Sequence, residues 1–288
     1  MAAGALTACG GSNTAAPAEQ TSAAGESTSK EAAAESGEKK VLKVAMECAY
    51  APYNWSQTDD SNGAVPIKDN MNYAYGYDVM MAKKIAEALD RDLEIYQIDW
   101  DSLPLALQAG TIDCVIAGQS ITSERLETVD FTTPYYYASI VTLVNNDGEY
   151  ANATSVTDLE GATCTSQINT VWYDTCLPQI PNANILPAME TAPNMLVALN
   201  SKTVDLVVTD MPTALAAVQV YPNMKILDFT ENTEGNYEVS EEEINIGISV
   251  KKGNTELLNS INEVLANYNE TDFENMMNEA IKVQPLAE

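Results

Sequence analysis

Two stretches of this chain follow one plan. Residues 103–118, LPLALQAGTIDCVIAG, align without gaps on residues 195–210, MLVALNSKTVDLVVTD, with Ala, Leu, Thr, Asp and Val coinciding at five of sixteen positions. Each copy reads as a short helix, a turn, an aspartate and an apolar strand. The alignment makes Gly118 and Asp210 equivalent, each at the carboxyl end of a buried strand, which is where open α/β sheets bind ligands. Asp113 and Asp205 precede their strands in both copies, which assigns each a structural turn role. An earlier pair, KVAMECAYAPYNW (43–55) and ATCTSQINTVWYD (162–174), runs in both cases from a strand into a polar, aromatic-rich turn. A chain that repeats such a unit folds as two similar α/β lobes, and two lobes facing one another make a cleft.

The flanking segments agree. VLKVAM (41–46) reads as a buried strand and LEIYQI (93–98) as the next. Between them GYDVMMAKKIAEAL (76–89) puts Val79, Ala82, Ile85, Ala86 and Leu89 on one helical face. Alternating helices and strands imply a parallel sheet. Chain crossings between lobes are expected near 135–142 and 240–247, and the amphipathic stretch 254–268 is expected to return to lobe 1. The expected boundaries are a tether over 1–40, lobe 1 over 41–138 plus 245–288, and lobe 2 over 139–244.

Composition closes several alternatives. The formal charge of -28 leaves no basic stripe for nucleic acid and no electrostatic hold on anionic lipid. Histidine is absent, which removes Ser-His-Asp and Cys-His catalysis and histidine metal sites. The five cysteines show no CxxC spacing, and no apolar run approaches the length of a bilayer span. No cofactor or metal is implied. Against this acidity stand only two arginines. One of them, Arg125, lies just past the strand that ends at Gly118, where the bland reading is a surface ion pair with Glu124 or Glu127. For Asp210 the bland reading is a cap on the helix beginning MPTAL.

At the N-terminus, LTAC (6–9) resembles a bacterial lipobox, which makes Cys9 the lipidation site; the alternative is a free cysteine in a disordered tail. About thirty residues of Ala, Glu, Ser, Thr and Gly follow, too poor in large apolar groups to fold and suited to a flexible tether.

Taken together, ECAYAPYNW, YGYDVMMAKKIAEAL, LPLALQAGTIDCVIAGQSITSERLETVDFTTPYY, LEGATCTSQINT and VDLVVTD resemble, in order across 41–285, a family-3 extracellular solute-binding protein, the amino-acid receptor of an ABC importer. The resemblance implies a periplasmic-binding-protein-like fold of type II: two α/β lobes, two hinge strands, and closure over one amino acid. It places Arg125 on the arginine that clamps the ligand carboxylate, a role that suits a planar guanidinium. Gly118 and Ser120 fall on positions that offer backbone and hydroxyl groups to the same ligand core. Thr170 falls on the second-lobe hydroxyl at the carboxylate, Asp210 on the acid that pairs with the ammonium, and Tyr50 on the aromatic over the ligand side chain. Asn169 departs from the pattern, because the family usually has glycine there; asparagine tolerates left-handed φ better than most residues.

Selectivity is read from Glu47, where some relatives that take cationic amino acids carry an acid, and from Tyr50, Trp55 and Trp100 as flanking rings. The expected ligand is therefore arginine, lysine or ornithine, with cystine or a polar neutral amino acid as the alternative. Against this, Glu47 would be a hydrogen-bonded strand-end acid, and Trp55 and Trp100 lobe packing, the preferred reading for Trp100. The cysteines leave two pairings open, Cys164 with Cys176 and Cys48 with Cys114, against buried free thiols. An enzyme reading needs paired carboxylates, for example in a glycan-acting enzyme, and finds no separate catalytic domain within 41–285. A ligand-sensing module would need a following transmembrane segment. The expectation is a monomeric, lipid-tethered receptor on the outer face of the cell membrane. Its partners are a free amino acid and the permease subunits of an importer.

Overall fold

A computed structural model describes residues 39–232 and 234–285. Cys9 and the tether up to residue 38 lie outside the described residues. The first strand, Lys40–Met46, carries the expected apolar run. It pairs in parallel with Arg91–Gln97 on one side and Cys114–Val115 on the other. The helix Tyr77–Ala88 joins the first two and buries Val79, Ala82, Ile85 and Ala86, while Leu89 just beyond it is half-buried. That face, recurring every three to four residues, packs on the sheet because leaving it in water would cost about 1.5–3 kcal/mol per large side chain.

The two five-stranded sheets share one topology. In lobe 1 the order is Arg91–Gln97, Lys40–Met46, Cys114–Val115, Ser249–Lys251, Val129–Phe131; in lobe 2 it is Asn184–Ile185, Thr163–Thr165, Leu206–Asp210, Ile140–Asn145, Met224–Leu227. Three strands of each are parallel, as alternation implied. The fourth is antiparallel to both neighbours, because it is the strand that arrives from the other lobe rather than through a crossover helix.

The chain passes from one sheet to the other twice. Tyr136–Tyr137 pairs antiparallel with Asn245–Ile246, forming a two-stranded hinge. Tyr77 stacks on Tyr135, with ring centroids 5.5 Å apart, and donates its hydroxyl to the Tyr135 carbonyl, which ties the hinge to the start of the lobe 1 helix.

The repeat is structural as well. Gly110 and Lys202, equivalent in the alignment, both adopt left-handed φ, at 74° and 59°. Asp113 accepts the Lys43 N–H at 2.8 Å, and Asp205 accepts the Thr163 N–H at 2.8 Å. Both aspartates are turn acids, as read from the sequence. The same pair corrects the second correspondence by one residue: Lys43 matches Thr163, not Ala162. Glu47 then matches Gln167, and Tyr50 matches Thr170.

Candidate functional site

Between the lobes lies a small cavity of about 20 Å³ lined by Glu47, Tyr50, Gly118, Ser120, Arg125 and Thr170, with Trp100, Gln167, Val171 and Trp172. Seven of the residues singled out in the sequence meet here, Trp100 among them.

From lobe 1, the strand Cys114–Val115 runs into Gly118, whose φ of 61° favours glycine. A Cβ there would sit 2.6 Å from the Tyr50 ring. The next residues pair with the hinge: Ser120 bridges Ile246, Gly247 donates to the Gln119 carbonyl at 2.9 Å, and Ile121 donates to Asn245 at 3.0 Å. The cavity wall and the hinge are therefore one hydrogen-bonded unit.

Arg125 rises from the short helix Ser123–Thr128, whose N-cap Thr122 accepts the Arg125 N–H at 3.2 Å. The guanidinium donates to the Ser120 carbonyl at 2.9 Å and, across the cleft, to the Asn169 carbonyl at 2.8 Å. It lies 5.4 Å from the Trp100 ring centroid. Burial pushes its pKa down to about 10 against the opposing pull of Glu124 and Asp174, so it remains a cation at neutral pH. Trp100 thus stands at the cavity under Arg125, where sequence reasoning had favoured simple lobe packing.

From lobe 2, the strand Thr163–Thr165 leads to Asn169, which takes the left-handed conformation at φ 56°. Thr170 is buried; its hydroxyl donates to the Gln167 carbonyl at 2.7 Å and accepts the Tyr173 N–H at 3.3 Å, beside the helical turn Trp172–Cys176.

The carboxylates differ. Glu47 is buried, and burial pushes its pKa up to about 7; the Gln167 amide works against this, while Asp99 and Asp101 add to it. The Gln167 amide lies 3.3 Å from one Glu47 oxygen and 3.5 Å from the other. Asp210 does not line the cavity. It caps the helix Met211–Val220 by accepting the Thr213 N–H at 2.8 Å, as its bland reading held, and its other oxygen accepts the Tyr50 hydroxyl. It therefore stands behind Tyr50, with its pKa raised by burial in spite of these donors.

Trp55 is elsewhere. Residues directly opposite in an antiparallel pair share a face; Tyr50 pairs Asn54, so Trp55, paired with Ala49, points the other way. It packs edge-on to Tyr75 at 5.4 Å and borders a separate apolar pocket with Leu196 and Val220. Sequence reasoning missed Gln167 and Trp172. The repeat in its corrected register marks Gln167 as the partner of Glu47; only the aromatic character of its loop pointed to Trp172. The cysteines Cys48, Cys114, Cys164 and Cys176 are buried and unpaired.

The model of the bacterial extracellular solute-binding proteins, family 3, matches residues 42–279. The chain belongs to this family. Among similar proteins, a putative ABC transporter arginine-binding protein 2 of Escherichia coli K12 is 29% identical over 227 residues, covering 78% of this chain and 84% of its own. The L-cystine-binding protein TcyJ of the same strain is 26% identical, covering 80% and 77%. An amino acid ABC transporter substrate-binding protein from Streptococcus pneumoniae, solved with L-arginine, superposes with a TM-score of 0.71 at 26% identity, covering 84% of this chain and 94% of that one. The family-3 fold of two α/β lobes with a cleft between them is the one described above.

Proposed function

We propose that this chain is the extracellular receptor of an amino-acid ABC importer, a binding protein and not an enzyme, and that it holds a free cationic amino acid between its lobes. The observation that carries this reading is that one interlobe cavity joins a charged guanidinium, Arg125, to a buried acid, Glu47. Arg125 takes the ligand carboxylate through two parallel charge-assisted hydrogen bonds, which replace its bond to the Asn169 carbonyl. Gly118, Ser120 and Thr170 supply backbone and hydroxyl partners. The ammonium draws on Asp210, with the Tyr50 hydroxyl yielding its place on that carboxylate. Glu47 and Gln167 meet the distal cationic group of arginine, lysine or ornithine, with Trp100 and Trp172 beside it.

A neutral polar ligand such as cystine is the second reading. The Glu47 pKa near 7 favours it, as does the likeness to TcyJ. In either case lobe 1 comprises 41–138 plus 245–288 and lobe 2 comprises 139–244. Cys9 carries the lipid that tethers a monomer to the outer face of the membrane, where permease subunits collect the ligand.

Calorimetric titration of Arg125→Ala and Asp210→Ala tests the assignment. Both are expected to weaken amino-acid binding by at least about a hundredfold while unfolding cooperatively, since each removes one charge partner from a desolvated ligand. Unchanged affinity in either variant would overturn that residue's role.

A further inference from the structure

Asn169 makes a contact that a glycine in its place could not. Its side-chain Nδ2 donates to Asp101 Oδ1 at 2.7 Å, while its main-chain carbonyl accepts from Arg125 at 2.8 Å. Asp101 sits in the turn Trp100–Ser102 of lobe 1, next to the indole that faces Arg125. One lobe 2 residue therefore reaches two adjacent lobe 1 groups, one through its side chain and one through its backbone.

We propose that Asn169 is a clasp: its amide, held by the Asp101 carboxylate, stabilises the closed arrangement of the lobes and lengthens the time a ligand stays bound. This rests on the reading of the cleft as the ligand site. A bound carboxylate competes with the Asn169 carbonyl for Arg125, but nothing in that exchange displaces the amide from Asp101. Both ends of the clasp are protein groups, so it forms with or without ligand. The φ of 56° matters too, because asparagine holds the left-handed turn that the backbone needs and still projects a donor. Both residues are solvent-exposed, which limits the effect to about 3- to 10-fold in dissociation rate.

The experiment combines two readouts. Stopped-flow kinetics with L-arginine as probe compare the wild type, Asn169→Gly, Asp101→Ala and the double variant. The clasp predicts faster dissociation in each single variant, association within about twofold, and a double variant no faster than either single one. Asp101→Asn, which keeps an acceptor, restores most of the effect. Spin labels on Met71→Cys and Val197→Cys, both exposed positions, report the interlobe distance without added ligand. The distribution shifts to longer distances in Asn169→Gly. This second readout does not depend on arginine being the ligand, so failure to bind arginine leaves the clasp decided by distance alone. Additive single effects, or an unchanged distance distribution, would overturn the proposal.

Discussion

On the proposed function, Glu47 is the residue on which ligand charge turns. Its carboxyl is buried, and burial holds its pKa near 7 in place of the ordinary 4.5. A cationic ligand needs the ionised form, so each pH unit below 7 costs close to a factor of ten in affinity. Affinity for L-arginine should therefore rise with pH between 5.5 and 7 and level off above, with protons released on binding near pH 6.5. Calorimetry in buffers of different ionisation enthalpy measures both, and a flat profile would remove Glu47 from contact with the ligand cation. The sign for stability is opposite. A carboxyl whose folded pKa is raised contributes stability that is full below pH 4.5 and lost as pH rises through 7. Glu47→Gln should accordingly melt at a higher temperature than the wild type at pH 8 and discriminate less between arginine and citrulline. A lower melting temperature at that pH would show that its hydrogen bonds outweigh its desolvation.

At the scale of elements, the cavity loops hang from the first turn of the helix Tyr77–Ala88. Asp78 there is fully buried; it accepts the Asn54 amide at 2.7 Å and the Tyr135 hydroxyl at 2.5 Å. Asn54 in turn accepts the Cys48 N–H at 2.7 Å, and Tyr135 accepts the Gly118 N–H at 3.2 Å. One carboxyl thus orients the loop that carries Glu47 and Tyr50 and the loop that begins at Gly118. Asp78→Ala strands an amide and a hydroxyl in the core, and should cost about 2–4 kcal/mol in urea unfolding. It should also weaken ligand binding, although Asp78 does not line the cavity. A loss below about 0.5 kcal/mol would mean that these loops are held by other means.

The elements also show what a sequence makes legible. The repeated helix–turn–Asp–strand unit announced two sheets of like topology, because buried strands and amphipathic helices leave a periodic apolar trace. The turn roles of Asp113 and Asp205 followed from their place in both copies. Trp55 was misread because its orientation depends on the pairing of two- to four-residue strands, too short to leave an alternation in sequence. Gln167 was hidden by a one-residue slip in aligning the first strands. The antiparallel fourth strand of each sheet reflects the hinge, a long-range connection that local periodicity does not record.

On the proposed function, closure and binding of the whole molecule are one equilibrium. Cavity groups come from both lobes, and Gln119, Ser120 and Ile121 are bonded to the hinge strand, so a ligand that bridges the lobes favours the closed arrangement by its differential affinity. Anything that binds only the folded chain also raises its melting temperature by mass action, by about 2.7 kcal/mol of added stability at a hundredfold excess over Kd. The most direct test of the central claim is therefore a thermal-shift screen of residues 39–288 against the twenty amino acids with ornithine, citrulline and cystine. The account predicts a shift with arginine, lysine and ornithine that is lost in Arg125→Ala. No shift with any amino acid would contradict it.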